Sequence, residues 1–298
     1  MSELHDGLKA YVARAAAAPP AWEQPIEALR AGPEAENPEI WGEPDAVEHV
    51  EDRDAGGVRV RVYRPAAEGP LPALVWFHGG GWAVGSLDSH DPLCRALAAR
   101  TPCVVVAVDY RLAPEHPFPA GLEDAWSATE WTFAHAAELG ANAERISVGG
   151  DSSGGNLAAV VALRARDRGV ALARQILVYP VADFDFERPS YAEHATGLNL
   201  TTEKMRWYWR LYLDGADGTH PDASPLRADL HGVAPAVVIT ASHDVLRSEG
   251  EEYARRLEQA GVPVKHRHYD GMIHGFLRMP RLVDDAATAV DEIAAALR

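Results

Sequence analysis

The chain has 298 residues, of which 47% are hydrophobic and 24% charged, enough to bury one large core and to fit a single elaborated α/β domain. Its 28 basic and 44 acidic residues leave a formal charge of −16 at pH 7, which repels phosphate backbones and anionic lipid surfaces and argues against nucleic-acid or membrane partners. Two cysteines, Cys94 and Cys103, have no CxxC spacing and cannot build a disulfide framework, so they read as reduced packing residues.

The opening Met1-Ser2-Glu3-Leu4-His5-Asp6-Gly7 puts acids where a secretory leader needs cations, and charge interrupts every later apolar run well short of a membrane span. A cytoplasmic location is expected. The run from Ala15 to Ala18 before Pro19-Pro20 reads as a helix end. Strands are expected over 58–63 and 73–77, the second running directly into Phe77-His78-Gly79-Gly80-Gly81-Trp82, a loop of nearly bare backbone. Successive glycines let peptide N–H groups approach a developing oxyanion, which makes Gly80 and Gly81 candidate donors. A phosphate-binding loop is a poorer reading, because no GxxxxGK[ST] is present and no GxGxxG opens a helix. A strand over 104–108 leads into Asp109-Tyr110-Arg111-Leu112-Ala113-Pro114-Glu115-His116-Pro117-Phe118-Pro119-Ala120, and a helix follows over 120–138.

The next strand, 146–149, ends in Gly149-Gly150-Asp151-Ser152-Ser153-Gly154-Gly155 before a helix over 156–168. Ser152 sits at a strand-to-helix turn between glycines that spare it the Cβ collisions of a tight reversal, the arrangement that thrusts a nucleophilic hydroxyl out of a sheet. GxSxG alone also fits an ordinary glycine-rich connector. The backbone N–H of Ser153 joins Gly80 and Gly81 as the third oxyanion donor. Strands at 175–179, 236–240 and 264–268 alternate with helices at 249–259 and 282–297. Buried apolar strands alternating with amphipathic helices imply a mostly parallel sheet covered on both faces.

Taken together, the His78 to Trp82 loop, the Asp109 to Ala120 segment and the Gly150 to Gly155 turn closely resemble the hormone-sensitive-lipase-like family of α/β-hydrolases, bacterial carboxylesterases with a GDSAG-type elbow. The resemblance runs from about Leu71 to the C-terminus. It implies an α/β-hydrolase fold with a mostly parallel central sheet, flanking helices and a helical cap. The cap would be made by residues 1–46 together with 183–228, over a core formed by 47–182 and 229–298. A homodimer is the assembly the resemblance implies.

A serine hydroxyl needs a histidine to take its proton, and that imidazole needs a carboxylate to fix its tautomer. In this fold the chain order is serine, acid, histidine. Asp244, just past the apolar run Val237-Val238-Ile239, is the best acid, ahead of Asp270 and Glu249. The family usually shows D-P-L-x-D-E-G here, whereas this chain has Val245 and Ser248 at the second and fifth positions, which puts the stiffness of the loop in question. His274, in His274-Gly275-Phe276, matches the family's His-Gly-Phe segment and is the expected base. His266 and His268 have the alternating spacing of a strand face, and His78 is expected to hold the glycine loop.

The second cap segment carries Met205, Trp207, Tyr208, Trp209, Leu211 and Tyr212. Trp207, Tyr208 and Leu211, with Trp82 and Leu87 near the glycine loop, are candidate substrate-binding residues, although aromatics at helical spacing equally serve to glue a cap to its sheet. The function expected is a serine carboxylesterase acting on a small-molecule ester with short- to medium-chain acyl groups through an acyl-enzyme, with no cofactor and no metal. Two alternatives share these residues: an amide or formamide hydrolase, and a small-ligand receptor, the latter disfavoured by the presence of His274.

Overall fold

Valine occupies four of the five positions of Val104–Val108, and all five are buried. Stiff β-branched side chains of this kind favour a fully covered strand. In the computed structural model, which describes residues 3–298, this strand is one of an eight-stranded sheet. Met1 and Ser2, the start of the segment read above for a secretory leader, lie outside the described residues. The strands are β1 (His49–Asp54), β2 (Arg59–Arg64), β3 (Leu71–Phe77), β4 (Val104–Val108), β5 (Ala141–Asp151), β6 (Gln175–Val178), β7 (Ala236–His243) and β8 (Val264–Ile273), in the spatial order β1-β2-β4-β3-β5-β6-β7-β8. From β4 to β8 every pairing is parallel, and β2 runs antiparallel to both β1 and β4.

Alternate residues of β3 and β4 feed two separate apolar layers. Val75, Phe77, Val104 and Val106 enter one, whereas Leu74, Trp76, Val105 and Ala107 enter the other. The helices are α1 (Asp6–Ala17), α2 (Ile26–Ala35), α3 (Asn37–Ile40), α4 (Leu87–Arg100), α5 (Ala120–Ala134), α6 (Ser153–Asp167), α7 (Pro189–Glu193), α8 (Thr202–Leu213), α9 (Arg247–Gln259) and α10 (Asp284–Leu297). Residues 3–46 thus contribute α1 to α3, and residues 183–228 contribute α7 and α8.

Two features depart from the expected pattern. Strand β1 carries a polar sequence, HVEDRD, because it lies at the open edge of the sheet and no side chain in it is fully buried; its apolar period is too faint to read. Helix α4 contains Pro92, which removes the N–H that would bond to the Asp88 carbonyl. That carbonyl accepts from Asn37 Nδ2 at 3.2 Å instead. A reciprocal cap starts the helix, Ser86 Oγ accepting from the Ser89 amide at 3.0 Å and Ser89 Oγ from the Ser86 amide at 2.9 Å.

Arginines fasten the N-terminal helices to the core. Arg30 Nε donates to the Ala83 carbonyl at 3.0 Å and Nη2 to the Ala113 carbonyl at 3.1 Å, while the guanidinium grips Glu115 with two bonds of 2.6 and 2.9 Å. Arg278 Nη2 reaches the Pro33 carbonyl, Asn37 Oδ1 and the Ser89 carbonyl, all within 3.0 Å. These bonds set α2 and α3 beside the loops that follow β3 and β8.

Candidate active site

All the chemistry-bearing loops leave the same edge of the sheet. Ser152 follows β5, Asp244 follows β7, His274 follows β8, and the glycine loop follows β3. The carboxyl ends of parallel strands are where open α/β sheets hold their ligands.

Ser152 adopts φ 57° and ψ −120°, a left-handed conformation that an L-residue holds only under constraint. Its amide donates to the Val178 carbonyl at 2.9 Å, and a Cβ on Gly150 would strike the carbonyl group of Gly154. The turn therefore exists only with glycine at these positions. His274 Nε2 lies 2.9 Å from Ser152 Oγ, and His274 Nδ1 lies 2.7 Å from Asp244 Oδ2. The other oxygen of Asp244 accepts the Leu246 amide at 2.9 Å. Its side chain is fully buried and that of His274 only 12% exposed. Asn199 Nδ2 donates to the His274 carbonyl at 2.9 Å, and the ring of Tyr179 packs 4.7 Å from the imidazole. The structure thus brings Ser152, His274 and Asp244 into one hydrogen-bonded chain. Asp270 stands apart from it on the surface, and Glu249 is buried elsewhere, where its Oε1 accepts the Ala182 amide at 2.8 Å.

Gly79, Gly80 and Gly81 border a cavity of about 650 Å³ together with Ser152 and His274. Among the described residues, the amides of Gly80, Gly81 and Ser153 have no protein acceptor. Unpaired N–H groups beside a serine hydroxyl are what an alkoxide developing there would require.

Sequence reasoning expected His78 to hold the glycine loop but did not foresee Asp151, His90 and Ser89 in the buried network behind it. Asp151 Oδ1 accepts the Gly79 amide at 3.1 Å and lies 3.2 Å from His90 Nε2, while His90 Nδ1 lies 2.9 Å from Ser89 Oγ. His78 Nδ1 lies 2.8 Å from the Gly79 carbonyl, and the ring stacks on Tyr110 at 4.3 Å. Burial pushes the His78 imidazole down to about 3, so it stays neutral and donates to that carbonyl. For Asp151 and its partners the only available signal was that Asp151 adjoins Ser152 in the sequence.

The loop carrying the acid is tied to helix α7. Ser190 Oγ donates to the Val245 carbonyl at 2.5 Å and accepts the Ser248 amide at 3.1 Å, and Ser248 Oγ accepts the Ser190 amide at 3.1 Å. The two positions that differ from the family pattern, Val245 and Ser248, are the two that Ser190 holds.

Of the expected substrate-binding residues, Tyr208 borders the cavity, whereas Trp82, Leu87, Trp207 and Leu211 do not. Trp82, at φ 57°, turns away and stacks on Tyr212 with ring centroids 4.1 Å apart. Leu87 faces the opposite apolar layer. Trp207 and Leu211 are partly buried and pack against the core. The cavity wall is instead completed by Tyr11, Glu36, Asn199 and Lys204, from parts of the chain far apart in sequence. Among the described residues no cluster of His, Cys, Asp and Glu has the makings of a metal site, and no helix is long and apolar enough to cross a membrane.

Residues 74–278 match the family described as alpha/beta hydrolase fold. The chain is 44% identical to the carboxylic ester hydrolase LipN of Mycobacterium tuberculosis, over 82% of this chain and 67% of that one. It is 39% identical to an ethyl acetate hydrolase of Pseudomonas putida, over 86% and 83%. A hyperthermophilic esterase from the archaeon Pyrobaculum calidifontis superposes with a TM-score of 0.94 at 39% identity, covering 99% of this chain and 98% of that one. The chain belongs to the α/β-hydrolase-fold family, in its hormone-sensitive-lipase-like branch.

Proposed function

We propose that the protein is a serine carboxylesterase that hydrolyses short- to medium-chain esters of small molecules through an acyl-enzyme at Ser152. The observation that carries this reading is the unbroken chain from Asp244 through His274 to Ser152, ending on a cavity wall beside unpaired amides. The esterase relatives at 39 to 44% identity support the reaction class.

In this reading Ser152 Oγ attacks the ester carbonyl while His274 Nε2 takes its proton, and the amides of Gly80, Gly81 and Ser153 stabilise the alkoxide. His274 then protonates the leaving alcohol. Water, deprotonated by the same nitrogen, attacks the acyl-enzyme, and the collapse of the second tetrahedral intermediate frees the acid and restores Ser152. Asp244 holds the imidazole with its proton on Nδ1 and stabilises the imidazolium formed in each half. Residues 1–46 and 183–228 act as the cap that encloses the substrate. Their contribution to the wall through Tyr11, Glu36, Lys204 and Tyr208 supports this division. The unpaired, buried Cys94 and Cys103 support a reducing, cytoplasmic compartment. A homodimer rests on the resemblance alone, and light scattering tests it.

The experiment for the activity is a series of p-nitrophenyl esters from acetate to dodecanoate beside N-formyl aryl amides. The expected result is turnover of the esters with an optimum among the shorter chains. Preference for the formamides would overturn the assignment.

A further inference from the structure

The mechanism leaves one cation of the cavity unexplained. Lys204 lies in the first turn of α8, after Thr201, whose Oγ1 caps the helix by accepting the Lys204 amide at 3.2 Å. Its side chain reaches the same cavity wall as Ser152 and His274. An ammonium offers three donors, yet the only acceptor of Nζ among the described residues is the Asn199 carbonyl, at a long 3.3 Å. Glu36 also borders the cavity, but it receives the Tyr11 hydroxyl at 3.2 Å and does not come within ion-pair distance of Lys204. Burial lowers the lysine's pKa, and the Glu36 charge, which raises it, offsets only part of that effect. Asn199 links this cation to the reacting groups, since its Nδ2 donates to the His274 carbonyl at 2.9 Å, while its Oδ1 is buried without a partner.

We infer that Lys204 is a carboxylate-binding subsite, so that the enzyme favours esters carrying a second, free carboxylate away from the scissile bond. This rests on the esterase reading of the same cavity. A carboxylate restores the charge balance that burial removes and supplies acceptors for the spare N–H groups, and the positive end of α8 adds to the attraction. The net charge of −16 opposes approach of an anion. Its effect is screened over about 8–10 Å at physiological salt, so local groups decide the bound state.

The test compares kcat/KM in two arms. One pairs p-nitrophenyl hemisuccinate with p-nitrophenyl butanoate, placing the carboxylate on the acyl side. The other pairs 4-acetoxybenzoate with phenyl acetate, placing it on the alcohol side. The ratio of anionic to neutral ester, followed across variants, cancels both intrinsic reactivity and any general loss of folded enzyme. Lys204→Met is expected to lower that ratio by about tenfold to a hundredfold in one arm, the size of a lost charged hydrogen bond, chiefly through KM. Lys204→Arg should keep most of it, and Glu36→Gln should raise it. An unchanged ratio in both arms of Lys204→Met, or a proportionate loss on charged and neutral esters alike, overturns the subsite. Failure of the parent enzyme on every ester counts against the esterase reading itself.

Discussion

Gly81 offers a sharp test of the oxyanion assignment. Its φ is 58°, and a Cβ placed there would overlap three atoms of the Tyr208 ring. The left-handed conformation alone costs an L-residue about 1–2 kcal/mol. It is bearable, because Trp82 next door holds φ 57°. The clash decides the outcome. Tyr208 is only 8% exposed and packs on Trp207 with ring centroids 5.0 Å apart, so in Gly81→Ala the loop must draw back and carry an amide away from Ser152. Losing one oxyanion donor costs about 2.7–4 kcal/mol, or roughly a hundredfold to a thousandfold in kcat. The added Tyr208→Ala change removes the obstructing ring, and Gly81→Ala/Tyr208→Ala should recover at least about tenfold in kcat. At Gly80 the obstacle is the Val84 carbonyl, which is backbone, so Gly80→Ala should be equally severe and gain nothing from Tyr208→Ala. Saturating p-nitrophenyl butanoate kinetics on the five variants decide the matter. Full kcat in Gly81→Ala, or no recovery in its double variant while Tyr208→Ala itself is active, would refute the reasoning.

Ser152→Ala and His274→Ala should each abolish nearly all ester turnover, and Asp244→Asn should lower kcat on the order of ten-thousandfold by releasing the imidazole tautomer; Ser153→Ala, which keeps the amide, should change kcat little, and stopped-flow or steady-state hydrolysis distinguishes all four. Ser190→Ala leaves the Val245 carbonyl and the Ser248 amide without their buried partner, so urea unfolding should show a loss of about 1–3 kcal/mol, with kcat falling more than KM changes; unaltered stability would mean the contact is dispensable. Glu249 gives the pH prediction. Burial raises its carboxyl from 4.5 to about 8, so between those values the folded state holds a proton that the unfolded state has released. Stability should therefore fall, by a few kcal/mol, as pH rises from about 4.5 to about 8. Glu249→Gln keeps an acceptor for the Ala182 amide and should flatten that slope; an equally steep slope in the variant would assign it to another group.

The sheet was legible because its central strands, buried on both faces, spell near-continuous apolar runs such as Val104–Val108 and Leu71–Phe77. The loops at their carboxyl ends were legible because strained turns admit few residue types, as at Gly150 and Gly154. What stayed hidden has a physical cause in each case. The polar edge strand His49–Asp54 lacks an apolar period, and Pro92 disguises the helix Leu87–Arg100. The pocket was harder still, because a cavity wall is built by side chains that share no local pattern. Trp82 and Leu87 adjoin the glycine loop in sequence yet face away from the cavity, while Tyr11, Glu36 and Lys204 border it from segments that carry no motif.

The departure at Val245 and Ser248 shows how such gaps close at the level of packing. Taken alone, these residues leave the acid's loop without the proline and the acidic side chain of the family pattern, and so without an evident source of stiffness. The structure supplies that stiffness through hydrogen bonds, most of them from outside the loop. Ser190 binds it from α7 with three hydrogen bonds, Arg247 Nη1 donates to the Ser242 carbonyl at 2.9 Å, and His194 Nε2 meets the same carbonyl at 2.9 Å. Every one of these contacts joins the acid's surroundings either to α9 or to residues 190–194. The orientation of Asp244, and through it the imidazole, therefore depends on how the 183–228 segment is seated. A change confined to that segment, remote from Ser152 in sequence, should register in kcat as well as in substrate choice, because the same stretch of chain both borders the cavity and braces the carboxylate.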